Sequence, residues 1–339
     1  MNKINVSVAI ATYNRSELVQ RAVLAAYNQT FPPYEIVVFD DCSTDNTFEC
    51  LLALRSIVPI LKVFKNRINS GGVINWNNAV NMCQGSFIAW CSDDDEFLHN
   101  HLELAMLNLD ANLECKIYNA GFREVTRNED IVIDGQDVLI YNKKQVINEK
   151  NIVRHFADHF SWYFHPSTLV FHRDVWAAVG EFNPKYALAD TDWFIRCANV
   201  FSILYNPSIV LLSNRHNGSQ KNWSTEVGSV KMQKELRETL EINVFKSQNH
   251  KELDGYNYFK FKYFILLMRI YISRSRAGYF KVANEVIFEV FESIEFQILR
   301  PLFLFKFISR FLRLFQLLIS LVFKRQRNKY NNFNKYMAP

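Results

Sequence analysis

Two acidic clusters carry the chemistry that this sequence offers, Asp40-Asp41 and Asp93-Asp94-Asp95-Glu96. Each follows at once on a short apolar run, Glu35-Ile36-Val37-Val38-Phe39 in the first case and Phe87-Ile88-Ala89-Trp90-Cys91 in the second. Both runs are β-rich and of strand length, so the carboxylates fall at strand ends. Adjacent carboxylates repel, and a desolvated sheet edge makes the repulsion worse unless a hard cation or a donor-rich ligand neutralises them. In open α/β sheets the carboxyl edge is where ligands bind.

The elements that must position these acids alternate along the chain. A strand over residues 6–11 runs into Thr12-Tyr13-Asn14-Arg15, and a helix follows with Leu18, Ala22, Val23 and Ala26 on one face. Asn14 is expected as its N-cap, with Glu17 completing a capping box. Asp45 or Thr47 is expected to cap a second helix, which Pro59 breaks before a strand over 60–64. Gly71-Gly72 precedes a third helix over 73–83, and Gly85 ends it ahead of the second acidic strand. Alternation of this kind predicts an α/β fold with a mostly parallel sheet flanked by helices.

The blocks Ala9-Ile10-Ala11-Thr12-Tyr13-Asn14-Arg15, Val37 to Thr47, Asn77 ahead of Gly85, and Ser92-Asp93-Asp94-Asp95 together resemble family 2 glycosyltransferases of the GT-A fold, over roughly the first two thirds of the chain. That resemblance implies a nucleotide-sugar site: Thr12, Tyr13 and Arg15 lining a uridine-like pocket, Asp41 or Asp40 accepting from the base N–H, and Asn77 on the donor side. It implies Asp93 as a ribose contact and a divalent metal, Mn²⁺ or Mg²⁺, on Asp94 or Asp95 in a DXD-like motif. Carboxylate and phosphate oxygens suit such hard cations. The chain departs from the family pattern at Ser92, where an aspartate is usual.

The resemblance continues at Gly180-Glu181-Phe182-Asn183-Pro184 and Ala189-Asp190-Thr191-Asp192-Trp193, which is similar to the turn and helix that bear the family's catalytic aspartate. Counting back from Arg196 favours Asp190 over Asp192 as general base, and a carboxylate at that helix start would also serve as a cap. His216 is expected near the metal or diphosphate, with a structural role as the alternative. His165 resembles an acceptor-side histidine. The implied reaction is an inverting single displacement that moves one sugar from a nucleotide-diphosphate donor, UDP by preference, to a lipid-linked saccharide in bacterial O-antigen or capsule assembly. The Gln-x-x-Arg-Trp motif of processive relatives is absent, Gln220-Lys221-Asn222-Trp223 being the nearest approach.

Composition sets outer bounds. The six cysteines lie scattered without a CxxC pair, which argues for reduced thiols. No secretory leader is read at Met1-Asn2-Lys3, and a location at the cytoplasmic face of the inner membrane is expected. A GT-A domain over 1–222 is expected to precede a helical region over 223–339. Within that region residues 301–323 form an apolar helix with Lys306, Arg310 and Arg313 along a narrow stripe. Those charges favour lying in the membrane interface over spanning it, with packing on protein as the alternative. A net charge of +5 without any nucleic-acid motif speaks against nucleic acid as a partner. A dinucleotide oxidoreductase would need GxGxxG where Thr12-Tyr13-Asn14-Arg15 stands. A nucleotidyltransferase-like enzyme and a non-catalytic membrane scaffold remain as other readings.

Overall fold

The computed structural model describes residues 4–128, 131–152, 154–155, 164–186 and 188–214. The helical region expected over 223–339, its interfacial helix and His216 lie outside the described residues. No helix among those described is long and apolar enough to cross a membrane.

Alternation of strand and helix holds through the first half. β1 (Val6–Thr12), α1 (Ser16–Tyr27), β2 (Glu35–Asp40), α2 (Thr47–Leu54), β3 (Leu61–Lys65), α3 (Gly72–Met82) and β4 (Phe87–Ser92) follow in order. β5 (Asp95–Phe97), α4 (His101–Asp110), β6 (Cys115–Asn128), β7 (Ile131–Val138) and β8 (Gln145–Ile147) come next. A 3₁₀ turn (Pro166–Thr168), β9 (Val170–His172), α5 (Arg173–Val179), α6 (Ala189–Val200) and β10 (Ser202–Asn214) complete the set.

The strands form one sheet in the order β3-β2-β1-β4-β9-β6-β10-β5, with β7 added on β6 and β8 on β10. β1 pairs in parallel with both β2 and β4, and every one of its residues is buried. Burial on both faces explains the unbroken apolar run Val8-Ala9-Ile10-Ala11, since a sheet covered by helices on both sides has no solvent face to alternate with. Chain order reverses between β1 and β4, so their carboxyl ends flank the crevice in which α/β sheets bind ligands.

Local expectations met different fates. α3 and β3 lie within one residue of their predicted bounds. Gly85 is required by close approach: a Cβ there would stand 2.7 Å from Ser7 Oγ and 2.8 Å from the Asn5 carbonyl. The expected capping box is absent. Arg15 occupies the cap position of α1 without a side-chain capping bond to the helix, while Asn14 adopts a left-handed φ of 51° and its Oδ1 accepts the Thr44 N–H at 2.8 Å. A tertiary contact thus takes the side chain that local pattern assigned to the helix. At α2 the Asp45 carboxylate accepts the Thr47 N–H at 3.0 Å, and the helix stops at Leu54, short of Pro59.

The long strands β6 and β10, which pair in parallel, had no counterpart in the sequence reading. Their effect on the site is direct, because β10 runs antiparallel to β5 with Ser213 opposite Asp95.

Candidate active site

The first acidic pair is an anchor for two turns. Asp40 is fully buried; its carboxylate accepts from the Ser43 N–H at 3.1 Å and from the Ser43 hydroxyl, and Lys65 Nζ lies 3.6 Å away. Both oxygens are thereby committed within the turn, so Asp40 serves the turn where the sequence offered it as a base contact. Asp41 binds the loop before α3: Oδ1 accepts from Asn66 Nδ2, Ser70 N and Ser70 Oγ at 2.7–2.8 Å, and Oδ2 from Gly71 N at 2.9 Å. Burial alone would raise the Asp41 pKa, but these donors hold it below the usual carboxylate range. Oδ2, with one bond, keeps capacity for a further donor.

Asn75 and Asn66 tie this loop to the sheet. Asn75 Nδ2 donates to the carbonyls of Phe39 (2.9 Å) and Thr12 (3.3 Å), and its Oδ1 accepts from Asn66. Thr12 is buried, whereas Tyr13 just beyond the end of β1 is 41% exposed. Between the turns sits Cys42 at φ 63°, a left-handed conformation that a β-carbon disfavours. Among the described residues its side chain makes one long contact, Sγ to the Arg67 carbonyl at 3.8 Å. Cys42→Gly is expected to stabilise the fold by about 1 kcal/mol, read as a higher urea midpoint at constant m-value; an unchanged or lower midpoint would show that the strain is relieved elsewhere.

The second cluster holds its carboxylates in three different settings. Asp93 and Asp95 are buried and Asp94 is partly exposed. Arg15 Nη1 bridges Asp93 Oδ1 at 2.7 Å and Asp94 Oδ2 at 3.0 Å. Asp95 Oδ2 accepts the Ser167 hydroxyl at 2.6 Å, and the hydroxyls of Ser213 and Ser92 also favour its ionised form. Burial pushes both buried acids above the ordinary range, and the neighbouring Asp94 charge adds to this at each. Glu96 is tied to Arg127 at 2.8 Å, and Asn214 Nδ2 donates to the Asp94 carbonyl at 2.5 Å.

His165 joins this cluster to the next. Its Nδ1 lies 3.3 Å from the Ser167 N–H and so accepts, which leaves the ring proton on Nε2, 3.1 Å from Ser213 Oγ. Burial lowers its pKa to about 4, so the ring is neutral at pH 7. Its Nε2 lies 3.8 Å from Asp95 Oδ2, and the charges of Asp94 and Asp190 act on the ring from farther off.

Asp190 stands in the first turn of α6, two residues after the cap position held by Leu188. Its Oδ1 accepts the Thr191 N–H at 2.7 Å and the Thr191 hydroxyl at 3.3 Å. Burial raises its pKa in spite of those bonds. Asp192 is differently placed: it is buried and paired with Arg196 at 2.8 Å across one helical turn. Arg196 also donates to the carbonyls of Val179 and Glu181, and Trp193 Nε1 to that of Gly180, so α6 is fastened to the turn before it.

Asn77 is the counterpart of that fastening on α3. Its Nδ2 donates to the Phe182 carbonyl at 2.9 Å and its Oδ1 accepts the Phe182 N–H at 3.0 Å. The amide thus clamps one backbone unit with one donated and one accepted bond. Phe182 in turn packs on Trp90 and Trp193, with ring centroids 4.6 and 5.3 Å away. Asn66, Ser70, Asn75, Ser167, Ser213 and Asn214 were missed by sequence reasoning, because each is recruited by a partner distant in the chain.

No group of three or more His, Cys, Asp or Glu side chains is already disposed as a metal cage among the described residues. The oxygen donors around Asp94 nonetheless suit a hard cation, because Asp94 is accessible and two further carboxylates flank it.

A doubly wound sheet with a carboxylate cluster at the β4 edge and a second acid on a helix beside it is the GT-A glycosyltransferase architecture. Residues 7–168 match the family described as "Glycosyl transferase family 2". Among curated proteins, chondroitin synthase of Pasteurella multocida is 27% identical over 262 residues, covering 76% of this chain and 24% of the relative. A GalNAc(5)-diNAcBac-PP-undecaprenol β-1,3-glucosyltransferase of Campylobacter jejuni is 35% identical over 101 residues, 30% of this chain and 33% of the relative. The match thus spans about a quarter to a third of the length of these relatives. In fold, residues of this chain superpose on S. aureus TarS 1–349 in complex with UDP (TM-score 0.53, 17% identity, 88% and 93% of the two chains). They also superpose on the mannosyltransferase PcManGT of Pyrobaculum calidifontis in complex with GDP-Man and Mn²⁺ (0.56, 15%, 88% and 89%).

Proposed function

We propose that this chain is an inverting glycosyltransferase that moves one sugar from a nucleotide-diphosphate donor to a saccharide acceptor in bacterial surface polysaccharide assembly. The observation that carries the reading is the Asp93-Asp94-Asp95 cluster at the carboxyl end of β4, with His165 3.8 Å from Asp95 and the Asp190 carboxylate acting on the same imidazole.

Each residue then has a task. Tyr13 offers its exposed ring to the nucleobase, and Asp41 Oδ2 accepts a base N–H. Thr12 and Arg15 border the ribose and diphosphate, and Asp93 takes a ribose hydroxyl. Asp94 would hold a divalent cation, with Asp95 locked behind it by Ser167 and Ser213 and with His216 as a further donor. Such a cation offsets the charge that develops on the departing diphosphate. Asp190 removes the proton from the acceptor hydroxyl as that oxygen attacks the anomeric carbon from the face opposite the diphosphate. Neutral His165 adds no positive charge that would weaken the base.

A lipid-linked acceptor and a peripheral site at the cytoplasmic face of the membrane complete the proposal. Support for the acceptor comes from the undecaprenol-linked name of the Campylobacter relative and from the cationic apolar stretch at residues 301–323. UDP is the first choice of nucleotide. Incubating the full chain with UDP-, dTDP- and GDP-sugars in Mn²⁺ is expected to release nucleoside diphosphate from one donor class, at a rate that EDTA reduces to background. Release from none, or release indifferent to EDTA, would contradict the proposal.

A further inference from the structure

Arg15 makes an unusual contact for a residue read as part of a nucleoside pocket. One nitrogen, Nη1, serves two carboxylates of consecutive residues, Asp93 at 2.7 Å and Asp94 at 3.0 Å. Nε and Nη2 make no hydrogen bond among the described residues, and the side chain is 37% exposed. Its backbone is fixed: the Arg15 N–H donates to Thr47 Oγ1 at 3.0 Å and its carbonyl accepts from Val19 N at 3.0 Å. A guanidinium held by one corner on a pinned backbone can turn about its side-chain bonds alone.

The other groups around the cluster are not built to move. Arg127 is mostly buried and bonded both to Glu96 and to Asn214. Asn214 holds the Asp94 backbone, and Ser167 holds Asp95. The Asp94 backbone and the Asp95 carboxylate would therefore keep their places if Arg15 turned away.

We propose that Arg15 is a built-in counter-ion of this cluster: it neutralises Asp93 and Asp94 while no donor is bound, yields Asp94 to an arriving divalent cation, and turns its freed guanidinium to the donor's diphosphate. This inference rests on the reading of the cluster as the cation and diphosphate site. It makes a cation and a nucleotide bind as a unit. The cation alone must displace a tethered positive charge, whereas a cation arriving with a diphosphate gives that charge a new anionic partner. Planar guanidinium suits both carboxylate and phosphate oxygens, so the exchange conserves its hydrogen bonding.

The test is Mn²⁺ binding to the full-length protein, read from the electron paramagnetic resonance signal of free Mn²⁺, without and with UDP. Arg15→Gln is expected to bind Mn²⁺ alone about tenfold more tightly than the parent protein, and to lose about tenfold in UDP affinity when Mn²⁺ is saturating, because removing one competing charge and one phosphate partner each act at close range. Arg15→Lys keeps the charge but not the fork, and is expected between the two; it also serves if the glutamine variant does not fold, since an Mn²⁺ affinity above the parent's then reads the same displacement. Equal or weaker Mn²⁺ binding by the variants, in a parent protein that does bind Mn²⁺ with UDP, would overturn the role of Arg15 and leave the cation site standing. Absence of Mn²⁺ binding by the parent protein, even with UDP, would remove the cation site and this inference together.

Discussion

Asp190→Asn is expected to lower kcat by about a thousandfold or more while leaving nucleotide affinity within about twofold, the size of effect that a positioned general base supplies. Asparagine can still accept the Thr191 N–H through its Oδ1, so α6 keeps its first-turn contact and the loss reports chemistry. Burial raises the Asp190 pKa, and the acid limb of kcat/KM in the parent enzyme is therefore expected above the range of an exposed aspartate. The sign follows from the role: the ionised form is the base, so activity falls as pH drops through the raised pKa. In the asparagine variant the residual rate is expected to lose that limb. A variant with normal turnover, or one that keeps the same limb, would remove Asp190 from the mechanism.

Asp94→Asn is expected to fail in a different way. Asp94 is the accessible carboxylate of the cluster, and losing a cation ligand removes several kcal/mol of stabilisation from the departing diphosphate, a rate loss on the order of a thousandfold. Donor affinity in Mn²⁺ is expected to fall as well, which separates this variant from Asp190→Asn. Stability should move the other way. The Asp94 charge disfavours ionisation of both Asp93 and Asp95, and its bond to half-exposed Arg15 is of the kind that contributes little. The cation-free variant is thus expected to melt at the same temperature as the parent or slightly higher. A marked drop in melting temperature would mean that Asp94 supports the fold, and preserved Mn²⁺-dependent donor binding would move the cation elsewhere.

The difference between what the sequence disclosed and what it concealed has a physical basis. Strand ends were legible because a run such as Val37-Val38-Phe39-Asp40-Asp41 changes character within one residue, and burial of a parallel sheet demands that change. The glycine at 85 was legible as a helix stop, though its reason, the approach of Ser7, was not. Side-chain partners across the fold were hidden. Asn77 finds Phe182 at a separation of 105 residues, and Asn214 finds Asp94 at 120. Asn14 had a good local reason to cap α1 and was taken instead by Thr44, thirty residues on. Amides and hydroxyls satisfy whichever donor or acceptor the packed chain brings, and that choice is made by strand pairing that no local pattern encodes. Asp41 and Arg15 show the consequence for function. Their types drew the eye to this edge of the sheet, yet the present bonds of each, to the Ser70-Gly71 loop and to the second acidic cluster, depend on the assembled sheet.

Calorimetric titration of the full-length protein with UDP, in Mn²⁺ and again in EDTA, tests most directly whether these acids make one donor site. Binding in Mn²⁺ that weakens at least about tenfold in EDTA, and that Asp94→Asn weakens to the same degree, is the expected result. Affinity for UDP that is the same with and without the cation, or no binding of UDP, dTDP or GDP in either condition, would contradict the account.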